Sequence, residues 1–96
     1  MICWVLYDIK NDKTRGKVAK ACLQTGLQRV QYSCFVGEID ENEKDTLQIR
    51  IEELYNEDED SIYIFPMNRK DFYQTVLLGQ AFDKKLVSGD LKNLLL

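Results

Sequence analysis

The sequence contains no histidine. That absence removes Ser-His and Cys-His nucleophile pairs, the imidazole ligands usual at zinc, and acid–base chemistry by paired histidines. Any bond cleavage must then be carried by carboxylates, a bound metal, lysine, arginine or tyrosine. Cysteine is scarce and unpatterned: Cys3, Cys22 and Cys34 form no C-x-x-C pair and sit among apolar neighbours. They read as buried, reduced thiols, which fits a cytoplasmic setting. No apolar run approaches the roughly 20 residues needed to cross a bilayer. The opening Met1 to Leu6 lacks the basic region and cleavage site of a signal peptide, so a soluble protein without membrane contact is expected. The phosphate-cradling G-x-x-x-x-G-K-[ST], the dinucleotide G-x-G-x-x-G and the esterase G-x-S-x-G are all missing, and the corresponding enzyme classes drop out.

What is present is a 96-residue chain, 45% hydrophobic and 30% charged, enough for one globular domain. Its formal charge of −3 hides an uneven distribution. Residues 1–37 carry six Lys/Arg against two Asp, residues 38–60 two against eleven Asp/Glu, and residues 61–96 five against three. A polyanion facing the first third is therefore compatible with an acidic chain; a solvated acidic helix face is the plainer reading of the middle.

Ile2 to Ile9 is nearly continuous in β-forming apolar residues, as in a central strand covered on both faces. Thr14 to Thr25 carries Val18, Ala19, Cys22 and Leu23 on one helical face, with Gly26 placed as its stop. Gln28 to Ile39 alternates as one strand, Val30, Tyr32, Cys34 and Val36 on one side and Gln31, Ser33, Phe35 and Gly37 on the other. A second helix is expected over Asn42 to Tyr55, with a core stripe of Leu47, Ile51, Leu54 and Tyr55. Ser61 to Phe65 is expected as a third strand ended by Pro66, and Phe72 to Leu78 as a fourth ended by Gly79. The resulting β-α-β-α-β-β order predicts an α+β two-layer sandwich, an antiparallel sheet with helices on one face. The other face needs cover, for which a sheet-mediated dimer is the simplest source. The domain is expected over residues 1–79. The tail over residues 80–96, ending in LKNLLL, is expected to pack on a dimer mate or another partner.

Asp8 is the residue that invites chemistry, because Asp is a poor strand former and costly to bury alone. It is either a loop carboxylate capping the helix that starts near Thr14 or a ligand for a hard cation such as Mg²⁺, which takes few carboxylates and keeps several waters. One carboxylate per chain suffices if a symmetry mate supplies a second. Arg15, Lys17 and Arg29 are either a phosphate-facing patch or ordinary solvated charge. Phe35 is expected at a dimer interface or stacked on a base.

VLYDI (Val5 to Ile9), Asp12, Arg15, KVAK (Lys17 to Lys20), Gly26, QRVQYSCFVGEI (Gln28 to Ile39) and DSIYIFP (Asp60 to Pro66) together resemble the CRISPR-associated protein 2 family. The match runs in order over about Ile2 to Gly79. The resemblance implies a ferredoxin-like β-α-β-β-α-β fold and a homodimer that brings the two Asp8 residues together around a divalent metal, Mg²⁺ or Mn²⁺. It implies an endonuclease acting on RNA or double-stranded DNA, with Asp8 as catalytic metal ligand and Arg15, Lys17 and Arg29 as nucleic-acid-binding residues. It places Tyr7, Ser33 and Phe35 beside the site or at the interface. The alternative it carries is a non-catalytic dimeric adaptor, bridging dimers of the CRISPR integrase and holding duplex DNA during spacer acquisition.

Overall fold

A computed structural model describes residues 1–84. The elements are β1 (Ile2–Asp8), α1 (Asp12–Thr25), β2 (Gln28–Gln31), β3 (Cys34–Glu38), α2 (Glu41–Glu52), β4 (Ser61–Met67) and α3 (Arg69–Gln74). The four strands form one antiparallel sheet in the order β2-β3-β1-β4.

β1 is interior, paired to β3 from Ile2 to Leu6 and to β4 along its whole length. Its side chains alternate between two apolar environments. Cys3, Val5 and Tyr7 join the main core with Val18, Cys22, Phe35, Leu47 and Ile51 beneath α1 and α2. Ile2 joins Val36 and Phe72 in a second cluster on the opposite side, against which Trp4, Val30, Met67 and Phe82 pack. A strand covered on both faces explains the unbroken apolar run in the sequence.

The helices start and stop where their termini are satisfied. Asn11 caps α1 by accepting the Thr14 N–H at 3.0 Å. Gly26 ends α1 in the left-handed region, φ 105°, its N–H reaching back to the Cys22 and Leu23 carbonyls. At α2, Asp40 accepts the Glu43 N–H at 2.7 Å and Glu43 accepts the Asp40 N–H at 3.0 Å, a reciprocal pair at the acidic turn. Burial pushes the Cys22 thiol up to about 12 and also raises Cys3 and Cys34, so the thiols stay protonated; Cys3 and Cys22 are buried as expected, whereas Cys34 is only half-buried.

The α+β class holds, and the element order is corrected in two places to β-α-β-β-α-β followed by α3, the ferredoxin-like core that the resemblance implied. First, residues 28–39 are a hairpin rather than one strand. The chain turns at Tyr32 and Ser33, with Ser33 at φ 59°, and a register shift falls between Arg29 and Gln31. Val30, Cys34 and Val36 still share a face because turn and bulge together keep the alternation in phase; Tyr32 instead projects from the turn, 95% exposed. Second, Phe72 to Leu78 is not a strand. Asn68 accepts the Asp71 N–H at 2.7 Å and caps a short helix that buries Phe72. α3 therefore lies on the sheet face opposite α1 and α2, so the expectation of helices on one face holds for the two long helices only. β4 runs through Pro66 to Met67, which an edge strand tolerates because its outer side needs no donor. Residues 85–96, the larger part of the expected packing tail, lie outside the described residues.

Gly37 is closely packed: an added Cβ would stand 3.1 Å from the Gly26 carbonyl oxygen and from the Leu27 Cα and Cδ2, so a methyl group would force these neighbours, two of them backbone atoms, to give way. Gly37→Ala is expected to destabilise the domain by about 1–3 kcal/mol, read as a lower urea midpoint at unchanged slope.

Candidate metal and nucleic-acid site

β1 leaves the sheet at Tyr7-Asp8, and the pleat sends these neighbours to opposite sides. Tyr7 is 6% exposed and stacks on Phe35 with ring centroids 6.2 Å apart. Asp8 points to the face carrying Trp4 and Leu6, beyond the cover of α3, with 71% of its side chain exposed. Its register partner on β4 is Ser61, and the residues beside it on this face include Tyr63, 64% exposed, and Phe65.

Lys10 lies in the bend two residues past Asp8. Its Nζ lies 3.4 Å from both carboxylate oxygens. The peptide between Ile9 and Lys10 is held at both edges. Arg15 Nη1 donates to the Ile9 carbonyl at 3.0 Å, and the Lys10 N–H donates to Asp60 Oδ1 at 3.0 Å. The second Asp60 oxygen accepts the Asn56 N–H at 2.9 Å, tying the acidic loop to the end of β1. These two backbone donors hold the Asp60 carboxyl below its ordinary 3.8. Arg15 also pairs with Asp12, one turn back on α1.

The remaining expected site residues separate. Ser33 sits in the turn, and its carbonyl accepts the Tyr7 N–H at 3.0 Å, so it braces the strand one residue before Asp8. Phe35 is fully buried within the protomer, between Tyr7 and the Arg29 guanidinium, 5.1 Å above its ring. Base stacking or interface burial by Phe35 is thereby corrected: its position opposite Val5 on β3 turns it under α1. Arg29 is exposed but engaged on that ring. Burial raises the Tyr7 hydroxyl above its ordinary value, with Arg29 opposing the rise, and its Oη makes no hydrogen bond of normal geometry. Lys17 stands apart from Asp8, in a crease of about 290 Å³ between α1 and α2 with Lys20 and Arg50. The structure thus gathers Asp8, Lys10, Arg15 and Asp60 about the Ile9–Lys10 peptide, sets Arg29 beside the Tyr7 hydroxyl with Arg15, and leaves Lys17 in the crease between α1 and α2.

Neither Lys10 nor Asp60 is given a site role in the sequence reading. For Lys10 the available signal is a basic residue at i, i+2 from Asp8, just past the strand end. For Asp60 it is an acid immediately before the strand that pairs with Asp8. Among the described residues, no three His, Cys, Asp or Glu side chains converge as a metal cluster. One chain offers Asp8 as a single exposed carboxylate, a donor set that suits a hard cation keeping most of its waters.

The family model for CRISPR associated protein Cas2 matches residues 1–75. This chain belongs to the Cas2 family. A relative from Archaeoglobus fulgidus, named a CRISPR-associated endoribonuclease Cas2, is 40% identical over 67 residues, covering 70% of this chain and 71% of that one. Another so named, from Chloroflexus aurantiacus, is 36% identical over 86% of this chain and 98% of its own length. Among solved structures, Streptococcus pyogenes Cas2 superposes with a TM-score of 0.70 at 28% identity, covering 82% of this chain and all of that one. A hypothetical protein from Thermus thermophilus gives 0.72 at 31% identity, covering 83% of this chain and 92% of its own. No helix among the described residues of this Cas2 chain is long and apolar enough to cross a membrane.

Two outcomes follow from this geometry. Phe35→Ala is expected to cost about 3–5 kcal/mol of stability, so any fall in function should track the unfolded fraction in a denaturant series. Because the Asp60 carboxyl is lowered on folding, its contribution is complete above 3.8 and is lost as pH falls through the still lower folded value. Asp60→Asn should therefore flatten the acid limb of a stability–pH curve below about pH 4 and leave neutral-pH slopes unchanged.

Proposed function

We propose that this Cas2 chain is a metal-dependent endonuclease that hydrolyses phosphodiester bonds of RNA, with Asp8 as its metal ligand. The observation carrying this reading is the exposed Asp8 carboxylate at the end of the central strand, in a family whose relatives are named endoribonucleases. A bound Mg²⁺ or Mn²⁺ supplies an activated water and charge neutralisation at phosphorus. Asp8 would hold the ion through its carboxylate. The doubly held Ile9–Lys10 peptide keeps the strand end in place, so the carboxylate is oriented before substrate arrives. Lys10 supplies positive charge beside the scissile phosphate, and Lys17 on α1 contributes a more distant backbone contact. Tyr7, Phe35 and Ser33 act beneath the site by fixing β1.

The functional unit is a homodimer with two Asp8 residues facing each other. The uncovered part of the sheet face, where Leu6, Tyr63 and Phe65 surround the approach to Asp8, supports this reading. Such an apolar area next to a single carboxylate is suited to a second copy that also brings a second carboxylate. The same dimer serves the other function the family suggests, a cytoplasmic adaptor that holds double-stranded DNA between integrase subunits during spacer acquisition.

Cleavage of a defined RNA and of a DNA duplex, with Mg²⁺ and with chelator, separates the two. Asp8→Asn is expected to lower metal-dependent RNA cleavage by about 10²-fold or more while leaving the sedimentation of the protein unchanged. An Asp8→Asn protein as active as wild type sinks the nuclease reading. An inactive wild type that still supports spacer integration, with Asp8→Asn equally competent, establishes the adaptor.

A further inference from the structure

The nearest charged group to Asp8 is Lys10, and nothing in the family likeness pointed to it. Both are exposed, 71% and 60% at the side chain, and such a pair on free side chains is worth little. Here, however, the backbone carrying Lys10 is fixed. The Ile9 carbonyl is bound by Arg15 and the N–H of the same peptide by Asp60, so opposite charges grip the two edges of one peptide plane. Asp60 is itself anchored to the Asn56 N–H, and Arg15 to Asp12. The clamp leaves Lys10 only its side-chain torsions, and its Nζ lies 3.4 Å from each Asp8 oxygen, where a cation bound to that carboxylate would stand.

We propose that Lys10 is the resident counter-ion of Asp8, aimed by the Arg15–peptide–Asp60 clamp, and that it sets how tightly Asp8 takes a divalent cation. The inference rests on the reading of Asp8 as metal ligand. The ammonium and the divalent ion compete for the same oxygens, so the ion binds only as Lys10 swings aside. Lys10 then projects a free positive charge from the rim of the occupied site, where a phosphate oxygen arrives. One side chain thus weakens metal binding without substrate and strengthens it when a phosphodiester is present to accept the displaced ammonium. Arg15 and Asp60 are positioning residues in this scheme, acting through the backbone of Lys10.

Mn²⁺ titration of the full chain, followed by the loss of the free-ion electron spin resonance signal, tests this without reference to turnover. Wild type, Asp8→Asn, Lys10→Met and Lys10→Arg are compared in dilute buffer and in 1 M salt. The expected result is binding that Asp8→Asn abolishes, that Lys10→Met tightens by about two- to fivefold, and that Lys10→Arg leaves near wild type. The difference between Lys10→Met and wild type should vanish in high salt, where the pair is screened. Adding a non-cleavable oligonucleotide should reverse the order, wild type then binding Mn²⁺ more tightly than Lys10→Met. Asp8-dependent binding that Lys10→Met leaves unchanged or weakens overturns the role of Lys10 and leaves the metal site standing. Mn²⁺ binding that is absent, or indifferent to Asp8→Asn, overturns both.

Discussion

The pairing of β1 on both edges is the constraint on which the rest of the molecule depends. Because β3 and β4 flank it, β1 cannot shift without breaking two ladders. Its alternation therefore assigns Cys3, Val5 and Tyr7 to the core under α1 and α2, and Ile2 and Trp4 to the cluster under α3. Asp8 occurs where this strand outruns its apolar cover. The carboxylate is exposed, yet it stands on a backbone whose preceding residues are among the most buried in the chain. A charged group is thereby held with the rigidity of a core element without the desolvation that burying it would cost.

The surroundings of Asp8 are built from long-range neighbours. Asp60 is 50 residues from Lys10 in sequence, and Ser33, whose carbonyl receives the Tyr7 N–H, lies in a separate hairpin. The acidic segment 56–60, which in composition looks like a solvated loop, thus has one carboxylate committed to structure. Asp60 accepts two backbone N–H groups and stays ionised to lower pH than a free side chain would. The remaining acids of that loop are exposed and keep that surface strongly negative.

Much of this was legible in the sequence. β1, α1 and α2 could be read from their apolar spacing, and Gly26 marks the end of α1. The Asp40–Glu43 cap shows in the sequence only as an acidic turn, and α2 ends at Glu52, so Leu54 and Tyr55 of its expected stripe lie beyond the helix. The 28–39 hairpin was hidden by its own regularity: a left-handed Ser33 and a register shift cancel, so Val30, Cys34 and Val36 look like one continuous strand. α3 was hidden by the β-forming composition of FYQTVLL, although Asn68 and Asp71 stand at cap spacing ahead of it. Asp8 was visible as a misfit in a strand. The partition of the basic residues was not, because Arg15 turns to a carbonyl and Arg29 lies on Phe35, choices set by tertiary neighbours that no local pattern encodes.

Tyr7 and Asp8 are adjacent in the chain and opposed in space, and this has a consequence for how such a protein can vary. A single-residue insertion or deletion in β1 would send the tyrosine ring to solvent and drive the carboxylate under α1, destroying core and site in one step. Point substitutions on the two sides, by contrast, are nearly independent, since the pleat isolates one face from the other. Lineages of this fold are therefore free to change the chemistry at the strand end residue by residue, but β1 cannot change its length there. Length variation is confined to places where no face is inverted, and in the loop before β4 it must still deliver an acceptor to the Lys10 N–H.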